Sequence, residues 1–204
     1  MPKKEDRLIT IFFMKENNNY RSIVFMKAGS HSGYDLDEIF EIKKREEYSY
    51  GRFYWGYSGT LCHPSRIHYF VRQLNLCGGS NSEPAPPMLV LAYTPSIYFS
   101  KIGRITQYSV DRKVWFSLPS EVLLTGCQYA IIGKNLRRVD ITIDLNEYKT
   151  VLGEKIGKPL GEYIRYHVNK ACAVFCPDSS LQQRNVRVAY IGELISPYCV
   201  YVRC

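Results

Sequence analysis

Cysteine and histidine stand side by side near the end of a short segment that runs from Gly51 to Pro64 and reads GRFYWGYSGTLCHP. Helical periodicity begins directly after them, and the free amides at a helix N-terminus make a nearby thiol more acidic. An imidazole can accept a proton at neutral pH. We therefore predict Cys62 and His63 as candidate catalytic residues, acting as a nucleophile or a general base. The alternative for Cys62 is burial, the commoner role of a lone cysteine.

The same segment could also bind a flat, charged ligand. Its glycines allow close approach of a ligand to the backbone, its rings can stack on a base, and Arg52 can meet a phosphate. A second stretch of small residues, Gly29 to Gly33, could present backbone amides to the same ligand. The predicted ligand-binding residues are His31, Arg52, Phe53, Tyr54, Trp55, Tyr57, Ser58 and Thr60.

The charge balance favours a polyanionic partner. The 204 residues include 27 Lys and Arg against 19 Asp and Glu, a net charge of +8, and 17 tyrosines of which several neighbour an arginine. Rings beside guanidinium groups are the two components of nucleotide and single-strand recognition. We therefore predict a small basic module that binds nucleic acid or a nucleotide-like ligand through an aromatic, glycine-rich pocket.

Two other classes of function stay open at this point. The chain could be an enzyme on a nucleotide or nucleic-acid substrate that uses Cys62 or His63. Support would come from Tyr57, Ser58 or a distant carboxylate such as Asp140 or Asp144. It could also be a protein-interaction or inhibitor module, because exposed tyrosine and arginine are common at interfaces. Sequence alone fixes neither the ligand nor the oligomeric state.

The motifs of common cofactor enzymes are missing from the sequence. It has no phosphate-binding loop that ends in Gly-Lys-Ser or Gly-Lys-Thr, no dinucleotide fingerprint and no His-Glu-x-x-His, so we expect neither a cofactor nor a metal. Cys172 and Cys176 could share a metal, but no compact cysteine-pair motif accompanies them, and packing is the better interpretation.

Cysteine usage and hydropathy bear on the compartment. Seven cysteines are odd in number and widely scattered, which indicates free thiols in a reducing, cytoplasmic environment rather than a secreted disulfide framework. No stretch approaches the roughly 20 apolar residues that a membrane helix needs, so we expect no membrane association.

Short apolar runs predict mostly strands. An opening hairpin is expected from 8–14 and 20–26, a further hairpin from 105–110 and 114–116, and other strands at 88–94, 127–132, 139–145, 186–191 and 198–202. Residues 35–40 fit a capped helical turn, whereas Phe40, Ile42 and the charged residues after them alternate like an exposed strand, and the sequence does not decide between the two. A loop is expected at 78–87, where Gly, Ser and Pro concentrate.

Helical spacing is clearest in two places. Ile67, Phe70, Val71 and Leu74 follow the i, i+3, i+4, i+7 pattern after Pro64, and a longer apolar face is predicted from Pro159 to Phe175. Because the strands come in consecutive blocks, the chain is predicted to be an α+β fold in one domain spanning 1–204. Its sheet is expected to be mainly antiparallel, with a barrel-like closure as one option, and to carry about two main helices.

Overall fold

The computed structural model of the chain describes residues 21–77, 86–98, 103–152, 156–165 and 168–204. The predicted strand at 8–14 therefore lies outside the described residues, and so do most of the predicted loop at 78–87 and the first turn of the opening hairpin. The assignment of 1–204 to one domain stays a prediction.

Nine strands and three α-helices make up the described chain. The strands are β1 (Ser22–His31), β2 (Phe53–Tyr57), β3 (Met88–Tyr98), β4 (Gln107–Ser109), β5 (Phe116–Ser117), β6 (Tyr129–Asp144), β7 (Tyr148–Thr150), β8 (Lys170–Phe175) and β9 (Asn185–Arg203). The helices are α1 (Leu36–Tyr50), α2 (Pro64–Cys77) and the single turn α3 (Leu160–Tyr163). A 3₁₀ turn, Leu145–Glu147, joins β6 to β7.

The strands form one mixed sheet in the order β2-β6-β9-β3-β1-β8-β7, and β4 with β5 extends it beside the end of β9. Within the described residues β1 and β3 pair in parallel and the other pairings are antiparallel. The mainly antiparallel sheet is thus confirmed. The barrel-like closure is wrong, because β2 and β7 stand at opposite ends of the strand order and do not pair with each other.

Helix α1 resolves the segment that the sequence left undecided. Asp35 caps its N-terminus by accepting a hydrogen bond from the Glu38 amide at 2.8 Å, and the Glu38 carboxylate accepts from the Asp35 amide in return, at 2.8 Å. Gly51 ends the helix in the left-handed conformation at φ 67°. Helix α1 has weak apolar periodicity, because Lys43 and Glu46 are buried where apolar residues would be expected. This explains why the sequence pattern did not distinguish a helix from a strand.

Helix α2 begins at Pro64, as predicted, with Ile67, Phe70 and Val71 buried against the sheet. The long helix predicted from Pro159 to Phe175 is wrong. In the described part of this segment the helix is the single turn Leu160–Tyr163, and the Arg184 guanidinium donates to the carbonyls of Gly161 and Ile164 at its end.

The second half of that predicted helix is instead strand β8, between β1 and β7. Its residues alternate between the two faces of the sheet: Ala171 and Ala173 pack on one, and Cys172 packs on the other. A strand buried on both faces is a continuous apolar run, which periodicity alone cannot distinguish from a helix.

The sequence predicts two short strands within 127–145 and two more within 186–202. In the structure each of these pairs is one long strand, β6 and β9 respectively. β6 and β9 pair along their whole length, and register shifts interrupt them where the sequence suggested breaks. The predicted hairpin near 105–116 is confirmed as β4 and β5, with Tyr108 opposite Phe116.

The two faces of the sheet bury separate groups of apolar residues. Helices α1 and α2 cover one face, called here the helix face, where Met26, Tyr57, Leu91, Cys172 and Cys199 pack together. The turn α3 and the segment 104–124 cover the opposite face. No helix among the described residues is long and apolar enough to cross a membrane.

Candidate functional site

A cavity of about 380 Å³ opens on the helix face, between α1, the end of β1, the end of β2 and the start of β8. Residues 123–127 close the remaining side of the cavity. The lining residues are Met26 to Gly29, His31, Ser32, Tyr34, Ile39, Ile42, Lys43, Trp55 to Ser58, Tyr98, Leu123 to Cys127, Asn169 and Lys170.

Four predicted ligand-binding residues line this cavity. His31 comes from the end of β1, Trp55 and Tyr57 from β2, and Ser58 follows β2 directly. The structure therefore brings the aromatic stretch and the Gly29–Gly33 stretch to one place, as the sequence predicts. What these residues bind stays a prediction.

The other predicted residues lie elsewhere, for a reason that sequence reading missed. Residues 53–57 form strand β2, in which adjacent side chains point to opposite faces, so Tyr54 leaves the face that Phe53, Trp55 and Tyr57 share. Phe53 is fully buried beside Gly133 and Gly192, and Tyr54 packs on the opposite face near Tyr108. Arg52 and Thr60 are not among the lining residues either.

The two candidate catalytic residues are also outside the cavity. The Cys62 side chain is 0% exposed and packs among the apolar residues of the helix face. His63 is partly exposed, is not a lining residue, and its Nε2 lies 3.3 Å from Arg112 Nη2. The thiol and the imidazole therefore do not meet a common space in the described residues.

Two glycines shape the cavity wall next to Tyr57. A Cβ atom on Gly56 would lie 2.8 Å from Cys127 Sγ and 2.9 Å from Leu124 Cδ2, so this strand position allows close approach of the 123–127 segment. Gly59 has φ +93°, a conformation that side chains rarely adopt, and turns the chain away after Ser58. The Ser58 hydroxyl donates to the Gly126 carbonyl at 3.4 Å.

Tyr57 presents its ring to the cavity while its hydroxyl is held inside the protein. The hydroxyl donates to the Cys62 carbonyl and lies 3.0 Å from Cys199 Sγ. Burial, followed by the nearby Cys199 thiol, raises the pKa of Tyr57 well above its usual value. Tyr57 therefore offers a neutral aromatic ring and not an ionisable group.

Lys170 is the most distinctive group of the cavity. The residue is only 8% exposed, and its ammonium Nζ lies 2.9 Å from Asn169 Oδ1 and 5.9 Å from the centroid of the Tyr57 ring. In the described part of the chain it forms no ion pair with a carboxylate. Burial accordingly lowers its pKa. An anion placed in the cavity would compensate this charge.

Lys43, a second lysine of the cavity wall, already has a partner. Its Nζ lies 2.7 Å from Glu46 Oε1 and donates to the Leu123 carbonyl at 2.8 Å. Glu46 also accepts hydrogen bonds from the amides of Tyr54 and Leu123, at 3.1 and 3.0 Å. Burial lowers the pKa of Lys43 and raises that of Glu46. The pair holds α1 against β2 and the 123–127 segment.

His31 connects two sides of the cavity. Its Nδ1 lies 3.1 Å from the Tyr98 carbonyl at the end of β3, and its Nε2 lies 3.4 Å from the Thr125 carbonyl. The backbone of His31 pairs with Tyr34 in both directions, at 2.8 and 3.0 Å, around the turn at Ser32 and Gly33. This turn places the Tyr34 ring beside the cavity.

The charge of the lining is one-sided. Three lysines, Lys27, Lys43 and Lys170, line the cavity, and no Asp or Glu is found among the lining residues of the described chain. Since Glu46 behind the wall pairs with Lys43, the excess positive charge comes from Lys27 and Lys170. Aromatic rings of Tyr34, Trp55, Tyr57 and Tyr98 accompany them. Positive charge and ring faces therefore share one small space.

Sequence reasoning missed Lys170 and the 123–127 segment. Lys170 stood inside the wrongly predicted helix, where a lysine reads as part of a solvated face. The signal that was available is the run of small and β-branched residues from Ala171 to Val174, which fits a buried strand that starts at a polar Asn-Lys pair. For the 123–127 segment no local pattern points to a site.

No protein-family model, no curated protein and no solved structure matches the chain. The function is therefore inferred from the geometry and chemistry of the chain itself.

Proposed function

We propose that the protein binds a small anionic ligand with a flat ring, of the nucleotide class, in the cavity on the helix face. One observation carries this proposal: Lys170 is buried beside the Tyr57 ring, without a carboxylate partner, in a cavity whose described lining holds no acidic residue. A buried ammonium group without a counter-charge is costly, and a phosphate or similar anion removes that cost.

The aromatic lining supports a ligand with a flat ring. Trp55 and Tyr57 contribute ring faces from β2, and Tyr34 and Tyr98 contribute rings from two other elements. Stacking of a base on an aromatic ring favours any base, because every base has a π face. Since the Tyr57 hydroxyl is engaged with Cys62 and Cys199, its ring is the part left for contact.

The size of the cavity narrows the ligand class. Small-molecule sites are usually clefts of about 300–1,000 Å³, and 380 Å³ is at the lower end of that range. A mononucleotide-sized ligand suits such a space better than a polynucleotide chain. Between the two predicted partners, the cavity therefore favours the nucleotide-like ligand.

The enzyme alternative is not adopted. The Cys62 thiol is fully buried and His63 contacts Arg112 outside the cavity, so neither faces the space where a ligand would be held. The compartment that we propose is cytoplasmic, because Cys62, Cys127, Cys172, Cys176, Cys199 and Cys204 are free thiols, which fits a reducing environment.

Fluorescence of Trp55 tests the proposal. The chain has two tryptophans, so the Trp115→Phe variant leaves Trp55 as the reporter of the cavity. We would titrate this variant with adenosine monophosphate, its cyclic form, adenosine diphosphate, uncharged adenosine and inorganic phosphate, and confirm affinities by calorimetry. The proposal predicts that at least one nucleotide binds more tightly than both adenosine and phosphate, since it alone offers both ring and charge.

Lys170→Met is the informative variant for this titration, and Lys149→Met on β7 is its matched control outside the cavity. We expect Lys170→Met to weaken nucleotide binding about 30-fold, equivalent to ~2 kcal/mol, and Lys149→Met to leave it unchanged. The absence of a Trp55 or calorimetric response to every nucleotide, or equal losses in the two variants, would overturn the proposal.

A further inference from the structure

A second group of arginines and rings lies at the end of β9, separate from the cavity. It consists of His63, Arg112, Trp115, Tyr201 and Arg203, and is called here the Arg–ring surface. None of the five lines the cavity. Alternation along β9 places Tyr201 and Arg203 on the same face of the sheet. Gln107 pairs with Arg203 in register and accepts a hydrogen bond from its Nε at 2.7 Å, which fixes the arginine.

Two guanidinium groups on this surface lie over aromatic rings. The Cζ of Arg112 is 4.2 Å from the centroid of Tyr201, and the Cζ of Arg203 is 3.9 Å from the centroid of Trp115. The indole Nε1 of Trp115 donates to the Arg112 carbonyl at 3.2 Å, so the two stacks are linked. Both arginines are exposed, so their guanidinium groups are accessible from solvent.

The positive charge of these arginines is not neutralised within the described chain, where neither forms an ion pair. Asp111, the acid of the β4–β5 turn, accepts hydrogen bonds from the amides of Lys113 and Val114, at 2.8 and 3.2 Å. Its carboxylate therefore holds the turn. Lys113 on the same turn is also exposed and adds a further positive charge.

His63 completes the Arg–ring surface as a neutral neighbour. A guanidinium group can only donate, so the contact of Arg112 Nη2 with His63 Nε2 at 3.3 Å requires the imidazole to accept. The His63 ring makes edge contacts with the rings of Tyr129 and Tyr201, with centroid distances of 5.2 and 5.3 Å. These contacts keep the imidazole in place. The imidazole thus orients Arg112 without removing its charge.

We propose that the Arg–ring surface binds single-stranded nucleic acid. The accessible guanidinium groups of Arg112 and Arg203 can stack on unpaired bases, and their N–H edges can donate to phosphates. A duplex hides its base faces and cannot use this arrangement.

The test measures the fluorescence anisotropy of labelled oligonucleotides with the full chain. The probes are oligo(dT) and oligo(U) of about 12 nucleotides, and a duplex of oligo(dT) with oligo(dA) of the same length. We expect one or both single strands to bind, and the duplex to bind at least about tenfold more weakly. The two single strands show whether the surface prefers DNA or RNA.

Variants of the exposed arginines separate stacking from charge. Arg112→Gln and Arg203→Gln should each weaken single-strand binding about tenfold and reduce the slope of log affinity against log salt by about one. Arg112→Lys and Arg203→Lys keep the charge but lose the planar stack, and should weaken binding with little change of slope. Arg45→Gln, an exposed arginine of α1, is the matched control and should bind as the wild type does.

Four results would overturn this proposal: no binding of either single strand, equal binding of the duplex, wild-type binding by both Gln variants, or an equal loss in Arg45→Gln. Thermal unfolding of each variant confirms that it is folded. Lys170→Met should bind oligonucleotides normally, so failure of the Arg–ring surface and failure of the cavity are distinguishable.

Discussion

The ammonium group of Lys170 lies 5.9 Å from the centroid of the Tyr57 ring. Lys170 begins β8 and Tyr57 ends β2, and these strands stand near opposite ends of the sheet order. The open sheet must therefore curve around its helix face to bring them together. This curvature creates a small space that joins a positive charge to an aromatic ring.

Replacement of Lys170 by methionine should stabilise the empty protein. Methionine keeps much of the side-chain volume and removes a buried charge that has no carboxylate partner in the described chain. We expect the free energy of unfolding to rise by about 1 kcal/mol at neutral pH, measured by urea denaturation.

The gain from Lys170→Met should depend on pH in a defined direction. Burial lowers the pKa of Lys170 in the folded state, so the unfolded chain binds more protons between that pKa and the ordinary value near 10.5. The stability of the wild type relative to the variant therefore rises with pH in that window. A gain that grows toward alkaline pH would contradict the assignment of an unpaired buried ammonium.

The pair of Lys43 and Glu46 should be strongly coupled. Lys43→Met leaves the Glu46 carboxylate buried without its cation, and we expect a loss of about 3–5 kcal/mol in unfolding free energy. The double variant Lys43→Met, Glu46→Gln should lose less than the single one. Lys44→Met removes the more exposed pair with Glu47 and should cost under about 1 kcal/mol. Equal losses in the single and double variants would show that the pair is not coupled.

Gly56 should not tolerate a side chain. An alanine Cβ there would lie within 3 Å of Cys127 and Leu124, in a wall of the cavity. We expect Gly56→Ala to cost about 1–3 kcal/mol in thermal or urea unfolding. Gly103→Ala is the matched control, because a Cβ at that position meets no atom within 4 Å and should change stability by under about 0.5 kcal/mol. Equal effects of the two substitutions would contradict the close approach.

His63 should make the protein less stable in mild acid. Burial, followed by the charges of Arg112 and Arg66, lowers the pKa of His63 below its usual 6.5. The unfolded chain then binds more protons than the folded protein as the pH falls through 6.5 toward the lowered pKa of His63, and stability decreases in that window. In His63→Gln the acid-side slope of unfolding free energy against pH should be smaller. An unchanged slope would contradict the predicted shift.

Sequence reasoning identified several residues that line the cavity, but it did not identify the buried lysine, Lys170. His31, Trp55, Tyr57 and Ser58 were predicted as site residues because aromatic and small residues concentrate near them, and the structure places all four on the cavity. The neighbours Phe53 and Tyr54 were included for the same reason. Alternation along β2 sends Tyr54 to the opposite face, while Phe53 keeps the face of Trp55 and Tyr57 but is fully buried in the core, which composition alone does not show.

The position of Lys170, which sequence reasoning did not predict as a site residue, depends on pairing between strands that are distant in the sequence. Met26 of β1 and Lys170 of β8 are partners in register, so Lys170 shares the face of Met26 and Cys172. That register is a tertiary contact across more than a hundred residues, and the helical spacing from Leu160 to Phe175 pointed to a different structure. The Lys43–Glu46 pair was not predicted either, because charged residues on a helix are usually solvated.

An NMR titration of isotope-labelled protein with adenosine monophosphate tests the central claim most directly, because it reports where the ligand binds. We expect the largest backbone shifts at Gly29, Ser58, Gly126 and Lys170, around the cavity, and their loss in Lys170→Met. Shifts that concentrate at Arg112 and Arg203 instead, or no shift at these cavity residues, would contradict the claim that the helix-face cavity is the nucleotide site.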